Sequence, residues 1–184
     1  MNARILFSVA ALLFTSTLGA QQNLVRLGAL AQGFANHDRE YTGITAGIES
    51  RISRHFTLGL DVDYFHSREA VGGQAGLEDI RNVWNVQPEF RFYLKESFRG
   101  FFLGGHLGYN KFNYRYEQDG NEVAPPQDTG PGSLVATGFT LGYSHALFGR
   151  IKMGFFAGGD YFFNPGRYGD GAKFRFGINL GYGF

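Results

Sequence analysis

The last thirteen residues, Ala172 to Phe184, constrain the fold most strongly, and they read AKFRFGINLGYGF. From Phe174 onward an apolar side chain occupies every second position, whereas Arg, Gly and Asn occupy the positions between. Successive side chains of a β-strand point to opposite faces. The stretch therefore predicts a strand with one wholly apolar face and one polar or bare face.

The first 20 residues have the pattern of a secretory signal peptide. Arg4 precedes an apolar run from Ile5 to Phe14, and small and polar residues follow as far as Ala20. The run has about ten residues, which is too short to cross a membrane as a helix and argues against an N-terminal membrane anchor, the alternative. We predict a signal peptide over residues 1–20 and a mature domain over residues 21–184.

The composition narrows the class of protein further. The chain has no cysteine, so disulfides and thiolate metal sites are excluded. Lys and Arg number 17 and Asp and Glu number 16, so the balanced charge gives no basic surface for nucleic acid. Aromatic residues make up 17% of the chain and Gly occurs 28 times. An exported chain with this composition and alternating apolarity is typical of a transmembrane β-barrel.

Eight segments of the chain alternate apolar and polar side chains. They are 24–34, 41–52, 56–65, 82–94, 101–112, 134–146, 151–163 and 172–184. The apolar face of each segment is predicted to be free of Asp, Glu, Lys and Arg, because a charge facing lipid at mid-bilayer costs roughly 2–4 kcal/mol. The strands of a soluble sandwich, the alternative fold, are usually about five or six residues long, which is shorter than any of the eight segments. We therefore predict an all-β protein, an eight-stranded antiparallel transmembrane β-barrel.

The connections between the segments alternate in length, as in membrane barrels. Residues 53–55, 95–100 and 147–150 form short connections, whereas the others are mostly longer and rich in turn formers. The short connections and both termini are predicted to face the periplasm. The third long loop has too many turn formers for a ninth strand. Pro88 lies inside the fourth segment, and a bulge or a missing bond is expected there because its nitrogen cannot donate a hydrogen bond.

Two adjacent motifs carry a family resemblance. Trp84–Tyr93 read WNVQPEFRFY, and Gly100–Gly104 read GFFLG. They resemble a family of small, uncharacterised outer-membrane barrel proteins that share W-x-x-Q-P-E-x-R-x-Y followed by G-x-F-x-G. The strand pattern of the mature chain is similar to OmpA-like eight-stranded barrels. The resemblance implies a protein of the bacterial outer membrane, in contact with outer-membrane lipid and lipopolysaccharide.

The closing strand carries a second resemblance. An apolar strand that ends on Phe resembles the terminal strand that the barrel-assembly machinery of bacterial outer membranes recognises. Tyr182 and Phe184 are therefore predicted to act as an insertion signal. The resemblance implies that the assembly machinery is a partner of this chain.

The polar faces of the eight segments would line the interior of the barrel with charge. The residues concerned are Arg26, Glu49, Arg51, Asp61, Asp63, Glu89, Arg91, His106, Lys152, Asp160, Lys173 and Arg175. Side chains fill the interior of an eight-stranded barrel, and an unpaired buried charge is costly. We predict a network of salt bridges that closes the lumen, in which Arg26 lies opposite Glu49 and Asp160 lies opposite Arg175. The alternative is a gated path for ions or solutes.

An enzyme is the second class of function to weigh. Outer-membrane lipid A deacylases are also eight-stranded barrels, with a His-x-Ser pair that faces the lipid. Here Ser144 and His145, and likewise His66 and Ser67, are adjacent, so an extended backbone points the two side chains of each pair to opposite faces. A nucleophile and its base need hydrogen-bond contact, so no catalytic residue is predicted. No cofactor or metal site is predicted, because the five His residues are scattered.

The remaining predictions concern the membrane interfaces and what lies beyond them. Tyr114, Tyr116, Phe162 and Phe163 are predicted to form an aromatic girdle at the outer interface. The predicted function is a structural role or a surface interaction through the second and third outer loops, by a monomer whose surface partner is unknown. A lipid-modifying enzyme and a narrow pore are the alternatives.

Overall fold

The computed structural model describes residues 22–34, 37–71, 76–124, 132–163 and 171–184, and the predicted signal peptide over residues 1–20 lies outside them. The strands are β1 (Asn23–Phe34), β2 (His37–Arg51), β3 (Phe56–Ala70), β4 (Leu77–Tyr93), β5 (Gly100–Gln118), β6 (Asn121–Val123), β7 (Ser133–Phe148), β8 (Ile151–Phe162) and β9 (Ala172–Gly183). Within the described ranges, no α-helix is long and apolar enough to cross a membrane.

The strands form one antiparallel sheet that closes on itself. Each strand in the order β4-β3-β2-β1-β9-β8-β7-β5 is hydrogen-bonded to the next, and β5 also pairs with β4. A closed sheet leaves no strand edge unpaired in lipid, where unsatisfied backbone groups would be costly. The predicted fold, an all-β eight-stranded antiparallel barrel, is confirmed.

The barrel has two unlike ends. The short-turn end carries the connections 52–55, 94–99 and 149–150. Asn23 and Phe184 meet at this end, where each backbone N–H donates to the other residue's carbonyl at 2.9 Å. The long-loop end carries the connections that follow β1, β3, β6 and β8. This arrangement follows from the antiparallel order, which returns the chain to the same end after every second strand.

Four strands, β2, β3, β4 and β5, extend further toward the long-loop end than predicted, and β2 begins at His37 instead of residue 41. The β3–β4 ladder continues to Ala70 and Glu78, and the β4–β5 ladder continues to Gln118. β6 adds a short strand against residues 116–118, so the prediction of no ninth strand in the third loop is wrong for its first residues. We call residues 66–70, 77–82, 113–118 and 121–123 the rim sheet.

The outward side chains form an apolar belt around the barrel. On β9 the alternate residues from Phe174 to Tyr182 are all apolar, yet they are 43–64% exposed. The predicted absence of charge on the outward faces is wrong at Lys111, which lies two residues beyond Tyr109 on β5. Lys111 is at the long-loop end of the belt, where a long side chain can keep its stem in the apolar layer and its charge among lipid headgroups.

Pro88 interrupts one ladder of the barrel. β4 and β5 pair Val86 with Tyr109 and Glu89 with His106, but the two intervening residues of β4 have no partner in that ladder. The register is the same on both sides of the gap. The predicted missing bond is therefore confirmed, and it occurs without a bulge.

Three residues of the predicted outer girdle face the interior instead. Phe162 and Tyr116 are buried, and Tyr114 is partly buried on the same inward face of β5 as Tyr116. Phe163 is exposed, as expected for a girdle residue. Tyr114 and Tyr116 lie in the part of β5 that is longer than predicted, where the alternation of inward and outward side chains continues. Phe162 lies on the inward face of β8 together with Asp160.

Candidate functional site

Three successive layers of side chains fill the interior of the barrel. From the short-turn end, the buried inward residues of β1 are Leu24, Arg26, Leu30 and Gln32 in turn. On β5 the buried inward residues likewise begin with Phe102 and pass polar side chains before Phe112. A charged layer therefore lies between two layers that are mainly apolar.

We name the layers by their positions along the barrel. The turn-end layer consists of Leu24, Tyr93, Phe98 and Phe102. The charged layer consists of Arg26, Glu49, Asp61, Asp63, Glu89, Arg91, His106, Asp160, Lys173 and Arg175. The loop-end layer consists of Leu30, Tyr41, Phe65, Val83, Phe112, Ala136 and Phe162.

Glu49 is the centre of one half of the charged layer. Its carboxylate forms salt bridges with Arg26 at 3.2 Å and Arg91 at 2.9 Å. It also accepts hydrogen bonds from the hydroxyl groups of Thr57 at 2.5 Å and Tyr93 at 2.8 Å. Four donors from three strands, β1, β3 and β4, therefore converge on one buried carboxylate.

The two arginines link Glu49 to two more carboxylates. Arg26 lies 3.0 Å from Asp61, and Arg91 lies 2.6 Å from Glu89 and 3.6 Å from Asp61. Charge-assisted bonds of this kind partly offset the cost of removing the charges from water. This half of the layer is a continuous network of alternating charge.

Arg175 organises the other half of the charged layer. Its Nη1 atom donates to Gln87 at 2.8 Å and lies 3.7 Å from Asp63, and its Nη2 atom donates to Thr140 at 2.9 Å. The same Nη2 atom lies 3.3 Å from Nδ1 of His106. Arg175 thus joins strands on opposite sides of the barrel.

Asp160 binds the remaining cation of the layer. Lys173 Nζ lies 3.2 Å from the Asp160 carboxylate and donates to Gln32 at 3.1 Å and to Asn110 at 3.3 Å. His106 Nε2 is hydrogen-bonded to the other oxygen of Asp160. The ammonium group is therefore held by three acceptors at the boundary with the loop-end layer.

Small inward residues make room for these long side chains. A Cβ atom at Gly47 would collide with the carboxylate of Asp61, and one at Gly104 would collide with Glu89. The extended backbone itself does not require glycine at either position. Glycine is needed because the neighbouring carboxylate occupies the space that a Cβ atom would take.

The hairpin registers differ from those predicted. Arg26 lies opposite Gly47, and its long side chain reaches Glu49 diagonally. On the β8–β9 hairpin, Lys173 lies opposite Asp160 and is its partner. The predicted pairing of Asp160 with Arg175 is wrong, because the register is displaced by two residues from the one assumed.

Two residues predicted for the network lie outside it. Arg51 is partly exposed at the end of β2 and donates to the carbonyl of Ser53 at 3.2 Å. Lys152 Nζ lies 5.0 Å from the ring centroid of Phe98 and donates to the Phe98 carbonyl at 3.4 Å. Both are close to strand ends at the short-turn end, and alternation alone cannot distinguish such positions from the buried middle of a strand.

Phe98 closes the short-turn end from the β4–β5 turn. Its φ of 66° is in the left-handed region, which is rare for a residue other than glycine. Its ring packs against Tyr93 with a centroid distance of 6.3 Å, and its carbonyl accepts a hydrogen bond from Ser144 at 2.9 Å. Ser97 ties the turn to the β2–β3 connection by donating to the Ser53 carbonyl at 2.7 Å.

The loop-end layer is the part of the interior that sequence reasoning missed. Phe65 is 0% and Phe162 1% exposed, and their ring centroids lie 5.6 and 4.9 Å from the ammonium group of Lys173. The alternation did contain the signal. Leu30 interrupts the first segment because it faces inward, and Phe65 shares the inward face of Asp63.

The charged layer contains very little free space. The cavity among its residues has a volume of about 10 Å³, and Arg26, Asp61, Glu89 and Arg175 are among the residues that line it. A cavity of this size holds about one water molecule. Packed side chains therefore fill the barrel here.

The rim sheet continues the charge pairing beyond the loop-end layer. Arg39 lies 2.9 Å from both Glu69 and Asp79, and Arg81 lies 2.7 Å from Asp79. The guanidinium of Arg81 also lies 5.4 Å from the ring centroid of Tyr114. These contacts cross-link β2, β3, β4 and β5 above the barrel.

The outward face of the rim sheet carries a second, exposed charge cluster. Arg68 pairs with Glu78 and lies 3.4 Å from Glu117, which Arg115 contacts at 2.9 Å. The hydrogen bond from Arg68 lowers the pKa of Glu78 and raises the pKa of Arg68. Because solvent screens these groups, their contribution to stability is small.

The two Ser–His pairs do not bring their functional groups together. Ser144 is buried and His145 is exposed, whereas His66 is exposed and Ser67 is buried. In both pairs the hydroxyl faces the interior and the imidazole faces outward. Among the residues that the structure describes, no group of three or more His, Asp or Glu side chains is arranged to hold a metal ion.

A closed eight-stranded antiparallel sheet with an apolar outer belt and a filled, charged interior defines the class of small outer-membrane β-barrels. Ail, the attachment invasion locus protein of Yersinia pestis, solved with the heparin analogue sucrose octasulfate, superposes with a TM-score of 0.57 at 12% identity, covering 89% of this chain and 99% of Ail. Neisserial surface protein A (NspA) superposes with a TM-score of 0.58 at 8% identity, covering 89% and 97%. The N-terminal β-barrel domain of Pseudomonas aeruginosa OprF gives 0.52 at 13% identity, covering 89% and 99%. At such identities the likeness shows the fold alone.

The chain belongs to the family described as "Protein of unknown function (DUF3575)", which matches residues 9–183. This match extends far beyond the two motifs from which a barrel family was predicted. A search of curated proteins found no match.

Proposed function

We propose that this chain is a bacterial outer-membrane protein whose barrel is closed to solutes. Its role is structural or one of surface interaction, through the rim sheet and the second and third outer loops. The filled interior is the observation that carries the proposal. Two mainly apolar layers enclose the charged layer, whose cavity of about 10 Å³ is too small for a water path.

The membrane location has independent physical support. The outward faces form an apolar belt, and the closed sheet satisfies its own backbone groups, as hydrocarbon requires. The short-turn end then faces the periplasm and the rim sheet faces outward, as in barrels of this class. Functions that need a partner outside the membrane are consequently assigned to the rim sheet and the loops around it.

The charges of the rim sheet and its surroundings indicate what kind of surface a partner would meet. The bases are Arg39, Arg68, Arg81, Lys111 and Arg115, and the acids are Glu40, Glu69, Glu78, Asp79, Glu117, Asp119 and Glu122. Most of these bases are already paired with acids of the same surface. A polyanion such as the sucrose octasulfate bound to Ail therefore finds no excess of positive charge on the described rim, and a partner with mixed charges is favoured.

Planar-bilayer recording tests the closed barrel. We expect the purified protein to insert without any stable large conductance, because all three layers block the interior. A porin reconstituted under the same conditions supplies the positive control, and antibody detection in the bilayer fraction verifies insertion of the test protein. Reproducible large conductance steps from the inserted protein would overturn the proposal in favour of a pore.

The alternative of a lipid-modifying enzyme receives no support from either Ser–His pair. In each pair the hydroxyl is buried in the barrel interior while the imidazole faces outward, so the base cannot reach the nucleophile. The proposed function therefore assigns no catalytic role to these residues.

A further inference from the structure

A groove interrupts the apolar belt on the wall formed by β1 to β4. It has a volume of about 530 Å³ and is lined mainly by Leu27, Ile44, Ala46, Val62, Tyr64 and Trp84. The register explains its shape, because the small side chain of Ala46 lies between Leu27 and Val62. The neighbouring row of Ile44, Tyr64 and Trp84 forms a higher wall. The walls are almost wholly apolar.

The groove lies at the long-loop end of the belt. The next outward residue beyond Tyr64 is His66, and the next beyond Trp84 is Asn82. The hydroxyl of Tyr64 donates to Asn82 Oδ1 at 2.8 Å, and His66 Nδ1 lies 2.9 Å from the same oxygen. Tyr and Trp with apolar bodies and polar neighbours are typical of the membrane–water interface. The groove therefore opens below the level of the lipid headgroups.

Lys111 stands beside this groove on the outward face. It is the cross-strand partner of Trp84, so the Cβ atoms of the two residues are about 5 Å apart. Arg68 and Arg115 share the outward face, but both are paired with glutamates. The ammonium group of Lys111 has no ion pair with a carboxylate of the described residues. A cation without an ion pair among the described residues thus borders one end of an apolar groove.

We propose that this wall binds an anionic lipid of the outer leaflet, with one acyl chain in the groove and its phosphate at Lys111. The apolar walls fit a hydrocarbon chain, and the ammonium group of Lys111 complements a phosphate at headgroup depth. The wall faces lipid along its whole length, so a lipid is the occupant that the location supplies. The inference rests on the proposed membrane location but is independent of the closed interior.

Trp84 makes the site directly measurable, because it is the single tryptophan of the chain. The protein is reconstituted in phosphatidylcholine vesicles that contain a small fraction of brominated-acyl phosphatidylglycerol or, in parallel, brominated-acyl phosphatidylcholine. Bromine quenches an adjacent indole. We expect the anionic lipid to be enriched beside Trp84 by about fivefold, which corresponds to the effect of about one basic residue at a membrane surface.

Three variants assign the effect to the proposed parts. Lys111→Gln should abolish the preference for the anionic lipid, whereas Lys95→Gln, which removes an exposed lysine at the short-turn end, should leave it unchanged. Ala46→Phe should fill the groove and reduce quenching by both lipids. All three substituted residues face outward or lie in a turn, and folding of each variant is verified by its electrophoretic migration before and after heating.

The outcomes separate this inference from the proposed function. An inserted protein that is quenched equally by both lipids, or a preference that survives Lys111→Gln, would overturn the lipid site alone. Failure of the wild-type protein to insert would overturn the membrane location and the lipid site together. Inorganic phosphate at matched ionic strength should not reduce the quenching. A reduction would mean that Lys111 binds a free anion and would overturn the lipid assignment.

Discussion

Glu49 shows how a single residue can control the interior of this barrel. It is 0% exposed and accepts contacts from Arg26, Arg91, Thr57 and Tyr93. A buried ion network is a poor source of net stability, because desolvation consumes much of the Coulomb attraction. Removing one member is nevertheless very unfavourable, since it leaves its partners buried without compensation.

Glu49→Gln should therefore destabilise the barrel strongly. The change retains the size of the side chain but leaves Arg26 and Arg91 short of negative charge, and the expected loss is about 3–5 kcal/mol in the free energy of unfolding. The measurement is urea unfolding in lipid vesicles, followed by the fluorescence of Trp84.

Arg51→Gln is the matched control for this substitution. Arg51 lies two residues from Glu49 on the same face of β2, but it is partly exposed, and among the described contacts its side chain donates only to a turn carbonyl. Its replacement should change the unfolding free energy by no more than about 0.5 kcal/mol. Equal effects of the two substitutions would contradict the division between network and strand end.

In the β4–β5 turn, the backbone conformation and the burial of Phe98 favour different types of residue. Burial of Phe98 favours a large aromatic residue, whereas its φ of 66° favours glycine. Replacing Phe98 by Ala should cost about 3–5 kcal/mol through loss of the buried ring. Phe98→Gly should cost about 1 kcal/mol less than Phe98→Ala, because glycine removes the backbone strain. Vesicle unfolding of both variants provides the comparison.

Phe102 is the internal control for the turn. It is also buried in the turn-end layer, but it lies within the extended strand β5. At Phe102 the order should reverse, with Gly less stable than Ala by about 0.5–1 kcal/mol. If Ala were the better replacement at both positions, strain at Phe98 would be ruled out.

The elements also show what could be predicted from the sequence. Alternation predicted the eight barrel strands, because one face of each strand meets lipid and must be apolar. It did not predict the rim sheet, where residues such as Arg68 and Arg115 place charge on the outward face of strands that have left the belt. Beyond the lipid layer the outward side chains are no longer all apolar, although the strands remain paired.

The interior was harder to predict than the strands. Its charged residues were recognisable from their face, but the partner of Asp160 depends on a register displaced by two residues, which alternation of period two leaves undetermined. Phe65 and Phe162 were missed because an apolar residue on the polar face looks like a flaw in the pattern. In a closed barrel such a residue has a definite place, since the interior has to be filled at both ends.

At the scale of the whole molecule, closure depends on the first and last strands. β1 pairs with β9 from Leu24 opposite Gly183 to Phe34 opposite Lys173. Backbone bonds between Asn23 and Phe184 complete this seam. Its stability is thus a property of the main chain and of inward side chains, whereas the aromatic side chains of Tyr182 and Phe184 face outward and are 53% and 54% exposed.

This separation gives a test of the predicted insertion signal. Combined Tyr182→Ala and Phe184→Ala substitutions leave every backbone bond of the seam possible. The purified, refolded variant should therefore retain an electrophoretic migration that changes on heating, and its unfolding midpoint should be close to that of the wild type. In cells, folded protein in the outer-membrane fraction should fall several-fold, because the assembly machinery would no longer recognise the end of β9. Phe174→Ala with Phe176→Ala removes two aromatic side chains from the same face of the same strand, further from its end. An equal loss of folded protein in cells from both double variants would show that assembly depends on the apolar face in general, and that the terminal position carries no special signal.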